Sequence, residues 1–253
     1  MPKKSITRKT CKGYQMAKSH LKGLVISRKR KLYKFARFNE FENCFHLDEW
    51  IGNRDSTLKS FITANLNCDL IVEIGAGSAL FLVELARQNP NNLFIAIDIK
   101  SDRLYRGARE ASELKLKNIY FIRSDITRLT DIFPYHIVAE IWLTFPDPYA
   151  NEDQTKLTST GARKRLTASR FLQLYREILK ENGIINFKTD NLPLFEWSLE
   201  QFTENNWKRE FVTRDLHNID ANSGFLSETR IMTSYEKRFV DEGKKINYAR
   251  FAV

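Results

Sequence analysis

Strand-length apolar runs alternate with helical patterns along most of this chain, and that alternation constrains its fold more than any other feature. Leu70 to Ile74 precedes a helical pattern over Ala79 to Gln88, and Leu93 to Asp98 precedes one over Arg103 to Leu114. Further runs lie at Ile119 to Ile122 and Ile137 to Leu143, and a helical pattern over Phe171 to Lys180 leads into Ile184 to Phe187. A βαβα order of this kind predicts a doubly wound, mostly parallel α/β sheet. Beyond it the spacing predicts a helix over Leu194 to Asn205, a strand at Phe211 to Thr213, a helix over Met232 to Asp241 and a last strand at Ile246 to Phe251. The short connections there suit an antiparallel final pair.

The chain has 253 residues, 42% of them apolar, enough for one large core. No stretch approaches the roughly 20 apolar residues that cross a bilayer, so no membrane partner is expected. Cys11, Cys44 and Cys68 are widely spaced and form no C-x-x-C pair, which indicates neither a disulfide framework nor a zinc site. A cytoplasmic protein without a bound metal is expected.

The net charge of +10 is concentrated at one end. Residues 1 to 39 hold nine lysines and four arginines with no acidic residue, while the remainder is slightly acidic. Tyr14, Tyr33, Phe35 and Phe38 interleave with the cluster Arg28-Lys29-Arg30-Lys31, a composition suited to a polyanion. A solubilising tail and an organelle transit peptide remain alternatives, and lysine dominance counts against transit. The expected organisation is a basic arm over residues 1–49 and one domain over residues 50–253.

Candidate site residues cluster at the predicted strand ends, where open α/β sheets bind their ligands. The first strand closes in Glu73-Ile74-Gly75-Ala76-Gly77-Ser78, whose glycines let the backbone turn sharply and approach a ligand. A nicotinamide-dinucleotide fingerprint needs a third glycine where this chain has Leu80. An acidic residue followed by Gly-x-Gly suits S-adenosylmethionine instead, the carboxylate facing a cationic ligand. Asp98 ends the second strand about 20 residues on, the place from which a carboxylate reaches ribose hydroxyls. Asp125 follows the third strand. Each of these also reads as a loop-start or cap aspartate. At the end of the fourth strand Asp147 stands between Pro146 and Pro148, which fix their own φ and push Phe145 and Asp147 towards extended backbone. Asp147 is either turn punctuation or a site residue.

Phe145-Pro146-Asp147-Pro148, Phe187-Lys188-Thr189-Asp190-Asn191, Asp215-Leu216-His217-Asn218 and Thr233-Ser234-Tyr235-Glu236-Lys237-Arg238-Phe239 together resemble the motifs of bacterial tRNA (guanine-N7)-methyltransferases. The resemblance spans roughly residues 70 to 250. It implies a Rossmann-like methyltransferase sheet, S-adenosylmethionine as cofactor, and tRNA as partner, methylated at guanine 46 of the variable loop. It also implies that Glu73, Gly75, Gly77, Asp98, Asp125 and Asp147 form the cofactor pocket, with Asp147 also catalytic. Asp190, Thr233, Tyr235 and Glu236 would hold the target nucleotide, Glu236 accepting from a guanine edge. Thr233 as a helix cap and Glu236 as a solvated helix-face residue are the plainer readings. His217 is read as a loop residue satisfying backbone groups.

The chain departs from that family after Pro148. Where the family continues Trp-Pro-Lys-Lys, this sequence has Tyr149-Ala150-Asn151-Glu152, and Lys164-Arg165-Leu166 follows only after extra residues. Asn151 thus occupies the place of a substrate-side lysine, and Lys156, Arg163 or Lys164 on a longer, flexible loop could substitute for it. An RNA-binding relative without activity, and a methyltransferase of another RNA or a small molecule, are the competing readings. Monomer and homodimer are both open.

Overall fold

The computed structural model describes residues 34, 37, 38, 40–47, 62, 68–153, 155–219 and 228–253. Most of the basic stretch, including the cluster at 28–31, lies outside the described residues.

Eight strands form one sheet in the order β1-β4-β3-β2-β5-β6-β8-β7. They are β1 (Cys44–His46), β2 (Leu70–Ile74), β3 (Leu93–Asp98), β4 (Ile119–Arg123), β5 (Val138–Thr144), β6 (Leu179–Thr189), β7 (Lys208–Thr213) and β8 (Asn247–Ala252). Pairing is parallel from β1 through β6, and β8 runs antiparallel to both β6 and β7. This is the doubly wound sheet with an antiparallel end that the alternation predicts. β2 is buried along its whole length, as a strand covered on both faces must be.

The helices whose bounds fall within the described residues are α1 (Leu80–Gln88), α2 (Ser101–Glu113), α3 (Leu129–Ile132), α4 (Ser169–Ile178), α5 (Leu192–Glu204) and α6 (Ser234–Asp241). α1 and α2 bury Phe81, Leu82, Leu104 and Ala108 in one core layer, and α4 and α5 bury Phe171, Tyr175, Phe195 and Phe202 in the other. In α2 the buried positions 104, 108 and 111 repeat at helical spacing, so one stripe faces the sheet. At the start of α5 the Asn191 side chain accepts from Leu194 N at 2.8 Å, with Pro193 in the first turn.

Two boundaries differ from expectation. The helical pattern over Phe171 to Lys180 stops at Ile178, and β6 begins at Leu179, several residues before the expected Ile184. Asn182 at φ 58° breaks the strand's regularity there, which hides its first half from a period-2 pattern. β1 falls within residues 1–49, so the sheet takes an edge strand from the stretch assigned to the arm. Phe38 is fully buried and Leu47 nearly so. Three residues are too few to show a periodicity.

Candidate active site

β2 brings Glu73 to the carboxyl edge of the sheet, where the chain turns through Gly75 at φ 70° and Gly77 at φ 54° before α1 begins. A methyl at Gly77 would meet nothing within 4 Å, so the backbone there faces open space. At Gly75 it would lie 2.7 Å from Leu166. Ala79, in the position where the family usually has a third glycine, adopts φ 54° as the cap of α1. A non-glycine residue held in this region is strained.

Two carboxylates flank the turn. Asp98, at the end of β3, accepts from Gly77 N and from Lys100 N, both at 2.8 Å, and so pins the turn to the neighbouring strand. Burial raises its pKa, opposed by those two backbone bonds. A carboxylate has about four acceptor sites, so Asp98 keeps capacity towards the cleft it lines. Glu73 is 1% exposed; Thr144 Oγ1 donates to its Oε1 at 2.5 Å, and its Oε2 has no partner among the described residues. Burial pushes this carboxyl up to about 8, against the Thr144 hydrogen bond. Asp125 behaves as a cap: its carboxylate accepts from Thr127 N at 2.9 Å and Thr127 Oγ1 at 2.7 Å, and these bonds lower its pKa.

Phe145 corrects the expectation of extended backbone before proline. It lies at φ 48°, held by donation of its N–H to Lys188 O at 2.8 Å and by packing against the Phe239 ring at 6.0 Å. Tertiary contacts here outweigh the pre-proline preference. Pro146 is buried, Asp147 is exposed, and among the described residues nothing hydrogen-bonds or ion-pairs with Asp147.

The loop after Asp147 is built, not loose. Arg165, 2% exposed, donates to Pro148 O at 2.9 Å, Tyr149 O at 3.3 Å and Thr158 O at 2.7 Å, and stacks on Trp197 of α5 at 4.7 Å. Asn151 is spent inside this loop: its Oδ1 accepts from Lys156 N at 2.8 Å and its amide donates to Thr155 at 3.2 Å. It lines neither cleft described below. Lys164 lies 5.9 Å from the Tyr149 ring and lines the smaller cleft.

On the opposite side, Asp190 follows β6. Burial raises its pKa, and Lys244 stands 3.9 Å away. Thr233 caps α6, its Oγ1 accepting from Glu236 N at 3.0 Å. Tyr235 is 57% exposed. Phe239 carries two cations on its ring, Arg238 at 5.0 Å and Lys244 at 4.3 Å. Glu236 is neither solvated nor in the cleft: it is fully buried, 2.7 Å from Lys188 and 3.1 Å from His217 Nε2. The carboxylate expected at a guanine edge thus faces Lys188 and His217, and His217 is a side-chain partner of Glu236 rather than a residue satisfying backbone groups.

Two clefts result. The larger, about 890 Å³, is lined by Glu73, the glycine turn, Asp190, Thr233 and Tyr235. The smaller, about 460 Å³, is lined by Asp98, Asp125, Ile126, Lys164 and Arg170. Gly75, Arg103, Phe145, Pro146 and Asp147 belong to both, so Asp147 stands on the ridge between them. Sequence reasoning missed Thr144, Arg103, Lys188 and Lys244. Lys188 lay inside a quoted motif but read as a strand residue, Thr144 fell between a strand run and a motif, Arg103 read only as the start of a helix, and Lys244 carried no pattern. Among the described residues no His, Cys, Asp or Glu group could hold a metal ion, and no helix is long and apolar enough to cross a membrane.

The fold is that of methyltransferases. The 16S rRNA methyltransferase KamB superposes with a TM-score of 0.56 at 16% identity, over 76% of this chain and 92% of that one. The family model described as a putative methyltransferase matches residues 67–249. The tRNA (guanine-N(7)-)-methyltransferase of Christiangramia forsetii is 34% identical over 89% of this chain and 98% of its own length. That of Lachnoclostridium phytofermentans is 39% identical over 72% of this chain and 79% of its own. The chain belongs to the tRNA (guanine-N7)-methyltransferase family.

Proposed function

We propose that this protein methylates N7 of guanine 46 in the variable loop of tRNA, with S-adenosylmethionine as donor. The observation that carries the proposal is that Asp147 lines both the cleft holding Glu73, the glycine turn, Asp190 and Tyr235 and the cleft holding Asp98 and Asp125, so that donor and target base would meet beside it. The residues present fit the cofactor. The unpartnered Glu73 Oε2 suits a cationic group, the open space at Gly77 admits close backbone approach, and Asp98 suits a ribose. When bound, the cofactor supplies an electrophilic methyl on a cationic sulfur, open to a guanine N7 lone pair that needs no proton removed.

A general base is therefore unnecessary, in keeping with a site rich in carboxylates. Asp147 and Asp190 orient the purine and balance the positive charge it acquires. Placement of the two reactants lowers the barrier by several kcal/mol. Tyr235, exposed on the rim, offers a face on which a base can stack, a contact of about 1–3 kcal/mol. Lys164, held over Tyr149 on the built loop, takes the place of the lysine that this chain lacks at Asn151. The basic residues 1–39 add phosphate contacts. Free thiols at Cys44 and Cys68 agree with a cytoplasmic setting.

Incubation with labelled donor and unmodified tRNA tests the proposal. Label should enter a tRNA with guanine at position 46 and spare one altered there; cofactor binding without incorporation refutes it.

A further inference from the structure

The transfer chemistry leaves one buried ion pair unused, beneath the larger cleft. Lys188 lies in β6, just ahead of Thr189 and Asp190. Its ammonium and the Glu236 carboxylate are both 0% exposed and 2.7 Å apart. The ammonium also donates to Thr229 O at 2.9 Å, and His217 Nε2 sits 3.1 Å from the same carboxylate. Removing two charges from water costs several kcal/mol per ion, so such a pair adds little net stability over apolar residues of equal volume. Its value lies in the geometry it imposes.

That geometry converges on the cleft. The Lys188 carbonyl accepts from Phe145 N, the residue that hands the chain to Pro146 and Asp147. Its ammonium holds Glu236 in the first turn of α6, which Thr233 caps. Successive residues on a helix are about 100° apart, so with Glu236 pinned inward its neighbour Tyr235 is turned out to the rim. Asp190 follows two residues after Lys188 on the same strand exit. One residue thus ties together cleft-lining groups from three separate elements.

We propose that Lys188 is a positioning residue for the target nucleotide, acting through its buried pair with Glu236 to hold Tyr235 and Thr233 in register with Asp147 and Asp190. The inference rests on the reading of the Asp190 and Tyr235 end of the larger cleft as the guanine site.

The test compares the full-length protein with Lys188→Met and Glu236→Gln, measuring cofactor Kd by calorimetry, thermal midpoint, and KM and kcat for unmodified tRNA. Lys188→Met should lower kcat/KM for tRNA by about tenfold or more, while cofactor Kd, which feels the Lys188 charge through Glu73, weakens by clearly less. Glu236→Gln keeps the shape of the site and one acceptor oxygen for Lys188, and should lose less, about threefold. Unchanged tRNA parameters in Lys188→Met overturn the inference. So does a loss of cofactor affinity that matches the loss of tRNA efficiency, because that marks a general loosening of the fold. If Lys188→Met fails to fold, Glu236→Gln carries the same split, and an unchanged tRNA kcat/KM in it overturns the inference. A wild-type protein that binds cofactor but methylates no tRNA overturns the guanine reading, and this inference with it.

Discussion

The two sides of Asp147 are held by different physics. On the glycine-turn side, Glu73, Gly75, Gly77 and Asp98 are placed by backbone: two adjacent parallel strands end together, and Gly77 N bonds Asp98 directly. On the Tyr235 side, Asp190, Thr233 and Tyr235 come from the end of β6 and the start of α6, joined by a buried ion pair. The first arrangement is local and stiff. The second depends on side chains far apart in sequence, and its parts can be loosened separately from the fold. The comparison teaches that cofactor binding and nucleotide binding should respond to different substitutions.

The largest effect is expected on the ridge itself. Asp147→Ala should lower kcat by about 10²–10³, the usual loss for a group that stabilises developing charge. Its side chain is exposed and unpaired among the described residues, so the thermal midpoint should barely move. Unchanged turnover would remove Asp147 from the site. Next comes the clamp. Arg165→Met strands three carbonyls, at about 1–3 kcal/mol each where no water replaces the bond. It should lower the melting temperature and raise the tRNA KM more than it weakens cofactor binding, which also feels this loop because Tyr149 and Leu166 line the cleft with Asp98 and Asp125. Equal losses on both sides would break the comparison.

A pH series sharpens it. In the folded protein burial raises Glu73 to about 8 and Glu140 to about 7, above the ordinary 4.5. The folded state then holds more protons than the unfolded state between those values. Their contribution to stability is complete below about 4.5 and is lost as pH rises through 7 and 8. Melting temperature without cofactor should fall over that window, and Glu73→Gln should flatten its upper part, leaving the Glu140 share. Cofactor affinity should run the other way, rising with pH as Glu73 ionises to meet a cation; a flat affinity profile would take Glu73 out of contact. The smallest effect is expected for Gly77→Ala. Without cofactor its methyl meets no atom, so the stability cost is that of the left-handed backbone, about 1 kcal/mol, read as a small drop in melting temperature; the methyl also enters the space through which the cofactor approaches, so cofactor affinity should fall.

The same divide explains what was legible in the sequence. The sheet showed itself because β2 and β3 are continuous apolar runs ending in carboxylates, and the glycine turn is contiguous. Glu236 was legible as a motif residue but not in its role, since its partner Lys188 lies 48 positions away and hydrophobic periodicity says nothing of ion pairs. Asn151 was matched by position, whereas its bonds are to Lys156 and Thr155, set by how the inserted loop closes. Phe145 followed a sound local rule that a bond to Lys188 and the Phe239 ring overrode. β1, at three residues, was too short to announce itself.

Hydrogen exchange in the presence of the demethylated cofactor, S-adenosylhomocysteine, tests the division across Asp147 most directly. Slowed exchange is predicted at the amides of residues 73–80, 98–103 and 125–128, with residues 233–244 unchanged until tRNA is added. Protection of 233–244 by the cofactor product alone, with the glycine turn unaffected, would contradict it.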